Sequence, residues 1–227
     1  ALGQPWDKAA SQAGGSTLTQ ARDGLLAALA LGLHPRPAAA ALRSLVKYHD
    51  DTVFDTVAFY ANHRDARVRA AAVVAISYLD DSRAVAAVLD ALRDADATVR
   101  AAASEAVARR KLGPGIEALL ALLKKGDDAA APALATLADP DLARAVAELI
   151  GTAPDGLVAR CLGLILLRPD FGAEPARLEV VRALGKVPGA DSIEQLSSYV
   201  AATPEKPVRQ SRREAEALIE ARLSGDQ

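Results

Sequence analysis

One phrase in this chain is written twice, and the repetition constrains the fold more than any other feature. Asp65-Ala-Arg-Val68-Arg69-Ala-Ala-Ala returns 31 residues later as Asp96-Ala-Thr-Val99-Arg100-Ala-Ala-Ala, and the same offset brings Asp127 into register. A fixed period of roughly 20 to 50 residues marks a stacked repeat array. Each copy resolves into two apolar stripes. In the first, Val68, Ala72, Ala75, Ile76 and Leu79 recur at helical spacing, Asp80-Asp81-Ser82 interrupts, and Val85, Val88, Leu89 and Leu92 follow. In the second, Val99, Ala103, Ala106 and Val107 precede Gly113-Pro114-Gly115, and Ile116, Leu119, Leu120 and Leu123 follow. Three- and four-residue spacing is one face of an α-helix, so the unit is helix, turn, helix. A pair this short cannot cover its own apolar stripe; stacking on neighbours buries a continuous core.

The phrase Asp-x-x-Val-Arg-x-x-Ala, on an Ala-rich first helix with a period near 31, resembles HEAT repeats, in particular the short Ala-rich bacterial type named after phycobilisome lyases. The resemblance is specific over 65–127. It returns more weakly at Pro175-Ala-Arg177-Leu-Glu-Val-Val181-Arg-Ala183-Leu184-Gly and at Pro207-Val208-Arg209. It implies an all-α fold, a right-handed α-solenoid of about six stacked antiparallel helix pairs. It also implies a binding surface rather than one fixed activity.

The remainder of the chain reads as a decaying version of the same array. Residues 1–15 carry no periodicity and read as a flexible N-terminal arm; residues 16–227 read as one solenoid domain. Within it, 16–64 form an N-terminal cap and degenerate repeat, 65–126 the best repeats, 127–206 divergent repeats and 207–227 a cap helix. Ser16-Thr17 is expected to cap the first helix, with Leu18, Ala21, Leu25, Ala28 and Leu29 inward. A second helix turns Ala41, Leu42, Leu45 and Val46 inward, and a third turns in Val53, Phe54, Val57, Ala58 and Ala61. The third unit keeps Asp127 but has Ala131 where the arginine falls. Leu157, Val158, Cys161, Leu162, Ile165 and Leu166 give one helix a broad apolar face. Arg168 to Pro175 is a long loop that either replaces a second helix or lengthens a turn. The last helix, expected over 207–223, has only Val208, Ala215, Leu218, Ile219 and Leu223 to bury.

Composition narrows the function. With 27 basic against 29 acidic residues the net charge is −2, which lacks the electrostatic footprint of a nucleic-acid binder, so no nucleic-acid partner is expected. No apolar run is long enough for a membrane span. A single cysteine, Cys161, excludes an internal disulfide. A cytoplasmic compartment is the expectation, with export after removal of a leader as the alternative. His34, His49 and His63 form no His-Glu or His-x-x-x-His pair, so the di-iron hydroxylases among HEAT-like proteins are not matched, and no metal or other cofactor is expected. Cys161, on the most apolar helix, reads as a buried thiol rather than a nucleophile. The paired acids Asp50-Asp51, Asp80-Asp81 and Asp127-Asp128 all fall at helix starts, where capping accounts for them.

Two sets of residues remain. Asp65, Arg69, Asp96 and Arg100 are the regular polar feature. Each Asp–Arg pair is four residues apart and can meet on one helix face, and each arginine can also reach an aspartate of the next unit. They read as a structural ladder, with Arg177 and Arg209 as weaker members; an anion-binding row is the alternative. The second helices project Arg83, Asp90, Asp94, Glu117, Lys124, Arg144 and Glu148. Together with Trp6 in the arm and Phe171 in the loop, these are the candidate contacts for a protein or peptide partner. Trp6 can instead dock on the first helix. The function expected is a non-enzymatic interaction module: a scaffold, adaptor or assembly factor. The alternatives are a bilin lyase or pigment chaperone, suggested only by the repeat type, and a DNA-binding HEAT-like protein.

Overall fold

The structure, a computed structural model, describes the backbone of residues 5–48 and 50–225 and the side chains from Thr17 onward. Every regular element among the described residues is helical. The chain divides into two compact units, Ala1–Ala106 and Val107–Gln227.

The first unit holds α1 (Pro5–Ala30), α2 (Pro35–Leu45), α3 (Phe54–Tyr60), α4 (Ala66–Ile76), α5 (Ser82–Ala91) and the start of α6 (Ala97–Arg110). Here α2 packs side by side with α4, and α4 also meets α3 and α5. The second unit holds the end of α6, α7 (Ile116–Lys124), α8 (Ala130–Leu137), α9 (Pro140–Ala147), α10 (Asp155–Leu167), α11 (Glu174–Lys186), α12 (Ala190–Ala202) and α13 (Gln210–Gly225). Its helices form two rows: α8, α10 and α12 in one, α9, α11 and α13 in the other. Within each pair the first helix lies in the first row and the second helix in the second, as an array of helix pairs requires.

The repeat phrase does what its spacing dictates. Val68, Ala72, Ala75, Ile76 and Leu79 are all buried, and so are Val99, Ala103, Ala106 and Val107. Aspartates start the helices. The Asp65 carboxylate accepts from the Arg67 amide at 2.9 Å, Asp96 from Thr98 at 2.8 Å, and Asp127 from Ala129 at 3.1 Å. Asp50, Asp81 and Asp139 do the same before Val53, α5 and α9. Each satisfies one of the amides that a helix start leaves without an intrahelical acceptor.

Three expectations are corrected and one open alternative is decided. Helix α1 begins at Pro5, not at Ser16; proline is compatible with a helix start, and Gly14-Gly15 are carried inside the helix, which hides its periodicity. Of its expected inward residues only Leu29 is buried, while Leu18 is 61% exposed, because α1 reaches the core through its C-terminal end. The Arg168–Pro175 loop is a turn between α10 and α11, so α11 is the second helix of its pair. The last helix starts at Gln210, which leaves Val208 outside it and exposed; Leu223 is also exposed.

Within each row, neighbouring helices approach closely through glycine. A Cβ at Gly163 of α10 would lie 2.9 Å from Cβ and Cδ of Gln195 on α12, and one at Gly156 would lie 2.6 Å from Asp191 Oδ2. In the other row, a Cβ at Gly185 of α11 would meet Leu218 of α13 at 2.9 Å. Small residues at a helix crossing let the axes come together and the flanking apolar side chains interdigitate. Val158, Leu162 and Ile165 of α10 are accordingly fully buried.

Candidate partner-binding surface

The repeat arginines hold the turns before their own helices. Arg69 does not pair with Asp65. Its Nε and Nη2 donate to the two carboxylate oxygens of Asp94, both at 2.8 Å, and its Nη1 donates to the carbonyls of His63 (2.8 Å) and Arg64 (3.2 Å). Arg100 repeats the second half of this arrangement, donating to the carbonyls of Asp94 (3.0 Å) and Ala95 (2.9 Å). Asp65 pairs with Arg67 instead. The ladder is therefore built from a planar guanidinium that satisfies the carbonyls of the turn before its own helix. A forked donor suits two divergent carbonyls as well as a carboxylate.

Arg177 uses the same device on α11. It is buried, and it donates to the carbonyls of Leu166 and Arg168, both at 2.8 Å, closing the turn after α10. Arg168 in turn donates to the carbonyls of Ala135 and Ala138 at the end of α8. Arg209 lies in the segment before α13.

These contacts remove two residues from the candidate surface. Asp94 turns inward: it takes Arg69 and also accepts from the Asp96 amide at 2.8 Å. The Arg69 guanidinium, more than any other group, holds the Asp94 carboxyl below its usual range. Phe171 is 1% exposed and fills the base of the α10–α11 turn, so it is core. An aromatic in a loop reads as exposed in sequence, but here Arg177 folds the loop over it. Trp6 belongs to α1, and its side chain lies outside the described residues.

The remaining candidates do project to solvent. Asp90, Glu117, Lys124, Arg144 and Glu148 are exposed. Several second-helix charges bridge to the next second helix. Arg83 of α5 donates to Asp55 of α3 at 2.7 Å, Arg144 of α9 to Glu179 of α11 at 3.2 Å, and Arg182 of α11 to Glu214 of α13 at 3.1 Å. Arg83 is also held by Asp81 and lies over the Phe54 ring, 4.1 Å from its centroid. Solvent-exposed pairs of this kind contribute at most about 1 kcal/mol each, so a partner can rearrange them at little expense.

One residue of this surface has no place in the expected set. Phe59 of α3 is 74% exposed. It stands one helical turn beyond Asp55 and so shares the face that meets Arg83. Its base is fixed. The Phe59 ring meets Tyr60 edge to face at 5.5 Å, and the buried Tyr60 hydroxyl donates to the Leu29 carbonyl at 2.6 Å. Tyr60 also stacks on His63, whose Nδ1 accepts the Asp65 amide at 3.0 Å. The signal was in the sequence: if residues 54, 57, 58 and 61 face inward, 59 must face outward.

Between α9 and α11 a cleft is lined by alanines and roofed by Arg144 and Glu179, with room for about 20 Å³, the space of a single water. A wider depression on α13 is lined, among the described residues, by that one helix through Ile219, Leu223, Glu216 and Glu220. Cys161 is fully buried, with Sγ 3.5 Å from the Ala131 carbonyl, and burial pushes its thiol up to about 12. Among the described residues no three His, Cys, Asp or Glu side chains gather as a metal site, and no helix is long and apolar enough to cross a membrane.

Comparison with known proteins agrees with the geometry. Residues 55–138 match the family described as HEAT repeats. No curated protein sequence matches the chain. Among solved structures, an engineered protein from the Northeast Structural Genomics Consortium is similar at 20% identity, with 90% of this chain and 97% of that chain covered and a TM-score of 0.45. The complex of CpcE and CpcF of phycocyanin lyase from Nostoc sp. PCC7120 is similar at 19% identity, with 89% and 82% covered and a TM-score of 0.42. With the doubled phrase, the aspartate caps and the turn-holding arginines in place, residues 55–138 are HEAT repeats.

Proposed function

We propose that this protein is a non-enzymatic interaction module that holds a protein or peptide partner on the second-helix surface of its first unit. Phe59 carries this reading. A largely exposed aromatic, braced from below and set among charged pairs that rearrange easily, has the anatomy of an interface anchor with a polar rim. Asp55, one turn before it on α3, and Arg83, which donates to Asp55 from α5, are both exposed. Exposed acids here are countered in part by Arg83 and Arg93, so the rim favours a partner segment with its own basic and apolar groups.

Site-specific photo-crosslinking tests the reading. A benzophenone side chain at position 59, in the protein expressed in its own source, should give a discrete higher-mass adduct. The same group at Ala70, on the first-helix side, should not. Equal labelling from both positions, or none from either, would overturn the proposal.

A further inference from the structure

Helix α2 carries a feature unrelated to the Phe59 face. Arg36, Ala40, Arg43 and Lys47 are all exposed, and their spacing of four, three and four residues puts them on one line along α2 and the helical turn that continues it. No aspartate or glutamate occurs between Asp23 and Asp50 in the sequence. The next acids along the chain are engaged: Asp50 takes Arg22 and the Thr52 amide and hydroxyl, and Asp51 accepts the Asp80 amide at 2.7 Å. Arg22, Arg67, Arg69 and Arg83 of the same unit each touch a carboxylate. Arg36, Arg43 and Lys47 touch none among the described residues. Among the described residues this is a row of three cations without a carboxylate partner, in a chain whose net charge is −2.

We infer that the α2 stripe of Arg36, Arg43 and Lys47 is a second docking surface, and that its occupant is an acidic helical segment of a protein. The row runs about 16 Å at ~1.5 Å per residue. A partner helix has the same rise, so glutamates or aspartates at matching spacing meet all three cations at once. Ala40, between Arg36 and Arg43, has almost no side chain, which lets a second helix approach the row. A nucleic acid fits less well. Its affinity grows with the number of phosphates neutralised, and this line neutralises three at most, on a chain that is otherwise slightly acidic. The complementary charge supplies encounter rate and register more than deep affinity.

The test uses the full chain and a fluorescein-labelled Ala-based helical peptide with glutamates at positions matching the stripe. Its controls are the same peptide with lysines in place of the glutamates, a mixed-sequence DNA duplex, and vesicles containing phosphatidylserine. The acidic peptide should bind, more weakly as salt rises, and the Arg36→Glu/Arg43→Glu/Lys47→Glu variant should lose at least about tenfold in affinity. The milder Arg36→Gln/Arg43→Gln/Lys47→Gln variant, melting like the parent, should show a smaller loss of the same sign. Phe59→Ala should bind the peptide unchanged, which separates this surface from the one proposed above. Unaltered peptide affinity in both stripe variants, no binding by the parent chain, or tighter binding of duplex or vesicle than of peptide would overturn the inference.

Discussion

At the scale of single residues, the aspartates and arginines that make the repeat recognisable are also the groups that close its turns. Each cap aspartate serves an amide, and several serve a cation too, so their carboxyls are held in the ionised form. Asp65 is drawn down from its usual 3.8 to about 2, chiefly by the Arg67 guanidinium and then by the Arg67 amide. Asp50, Asp81, Asp94 and Asp96 are lowered as well. Glu174 behaves alike at the far end of the array: burial raises it, but the Ser211 amide and hydroxyl outweigh burial and hold it down. A carboxyl depressed in the folded state contributes stability above its unfolded value and loses it as pH falls through the folded one. The melting temperature should therefore hold steady from pH 7 to about 5 and fall steeply between about 4 and 2. Asp65→Asn, which keeps a capping acceptor but no charge, should flatten that acid limb; a limb as steep as the parent's would remove Asp65 from the account.

At the scale of elements, the rows rest on alanine, valine and leucine packed around glycines that sit where helices cross. Gly→Ala inside a helix ordinarily stabilises it by roughly 0.5–1 kcal/mol. Gly163→Ala should do the opposite here, lowering stability by about 1–3 kcal/mol in denaturant unfolding, since the new methyl meets Gln195 and α10 must move off α12. Gly113→Ala, where a Cβ meets nothing within 4 Å, is the matched control; equal effects would deny the close crossing. Much of this level was legible in the sequence. Periodicity found the apolar stripes of α4 and α6, and acids before them found the caps. What stayed hidden depended on distant partners. Nothing local to Arg69 says that it reaches Asp94 rather than Asp65, because both are within a guanidinium's reach. Phe171 reads as exposed until Arg177 draws the loop closed. The α1 start is masked by glycine and serine, which weaken a helix without forbidding it.

At the scale of the whole molecule, the repeat sets a division of labour. Residues that recur, Asp65 and Asp96, Arg69 and Arg100, close the turns and support the stack. Residues that do not recur, Phe59 on the second-helix side and Arg36, Arg43 and Lys47 on α2, are exposed, and they are the ones proposed above to face partners. Of the residues expected at an interface, Arg83, Asp90, Glu117, Lys124, Arg144 and Glu148 are exposed, while Asp94 on its second helix and Phe171 in its loop belong to the framework. Phe59, an exposed aromatic, was absent from the expected set, although elimination from the inward set points to it. The division is tested most directly by thermal unfolding of two variants side by side, Arg69→Ala and Phe59→Ala. Removing the Arg69 guanidinium leaves a largely buried Asp94 carboxylate without its cation and two turn carbonyls without their Arg69 donor, a loss of about 2 kcal/mol, or about 5 °C in a chain of this size. Removing the 74% exposed Phe59 ring should move the midpoint by less than about 2 °C. A midpoint unchanged in Arg69→Ala, or lowered more by Phe59→Ala, would contradict the account.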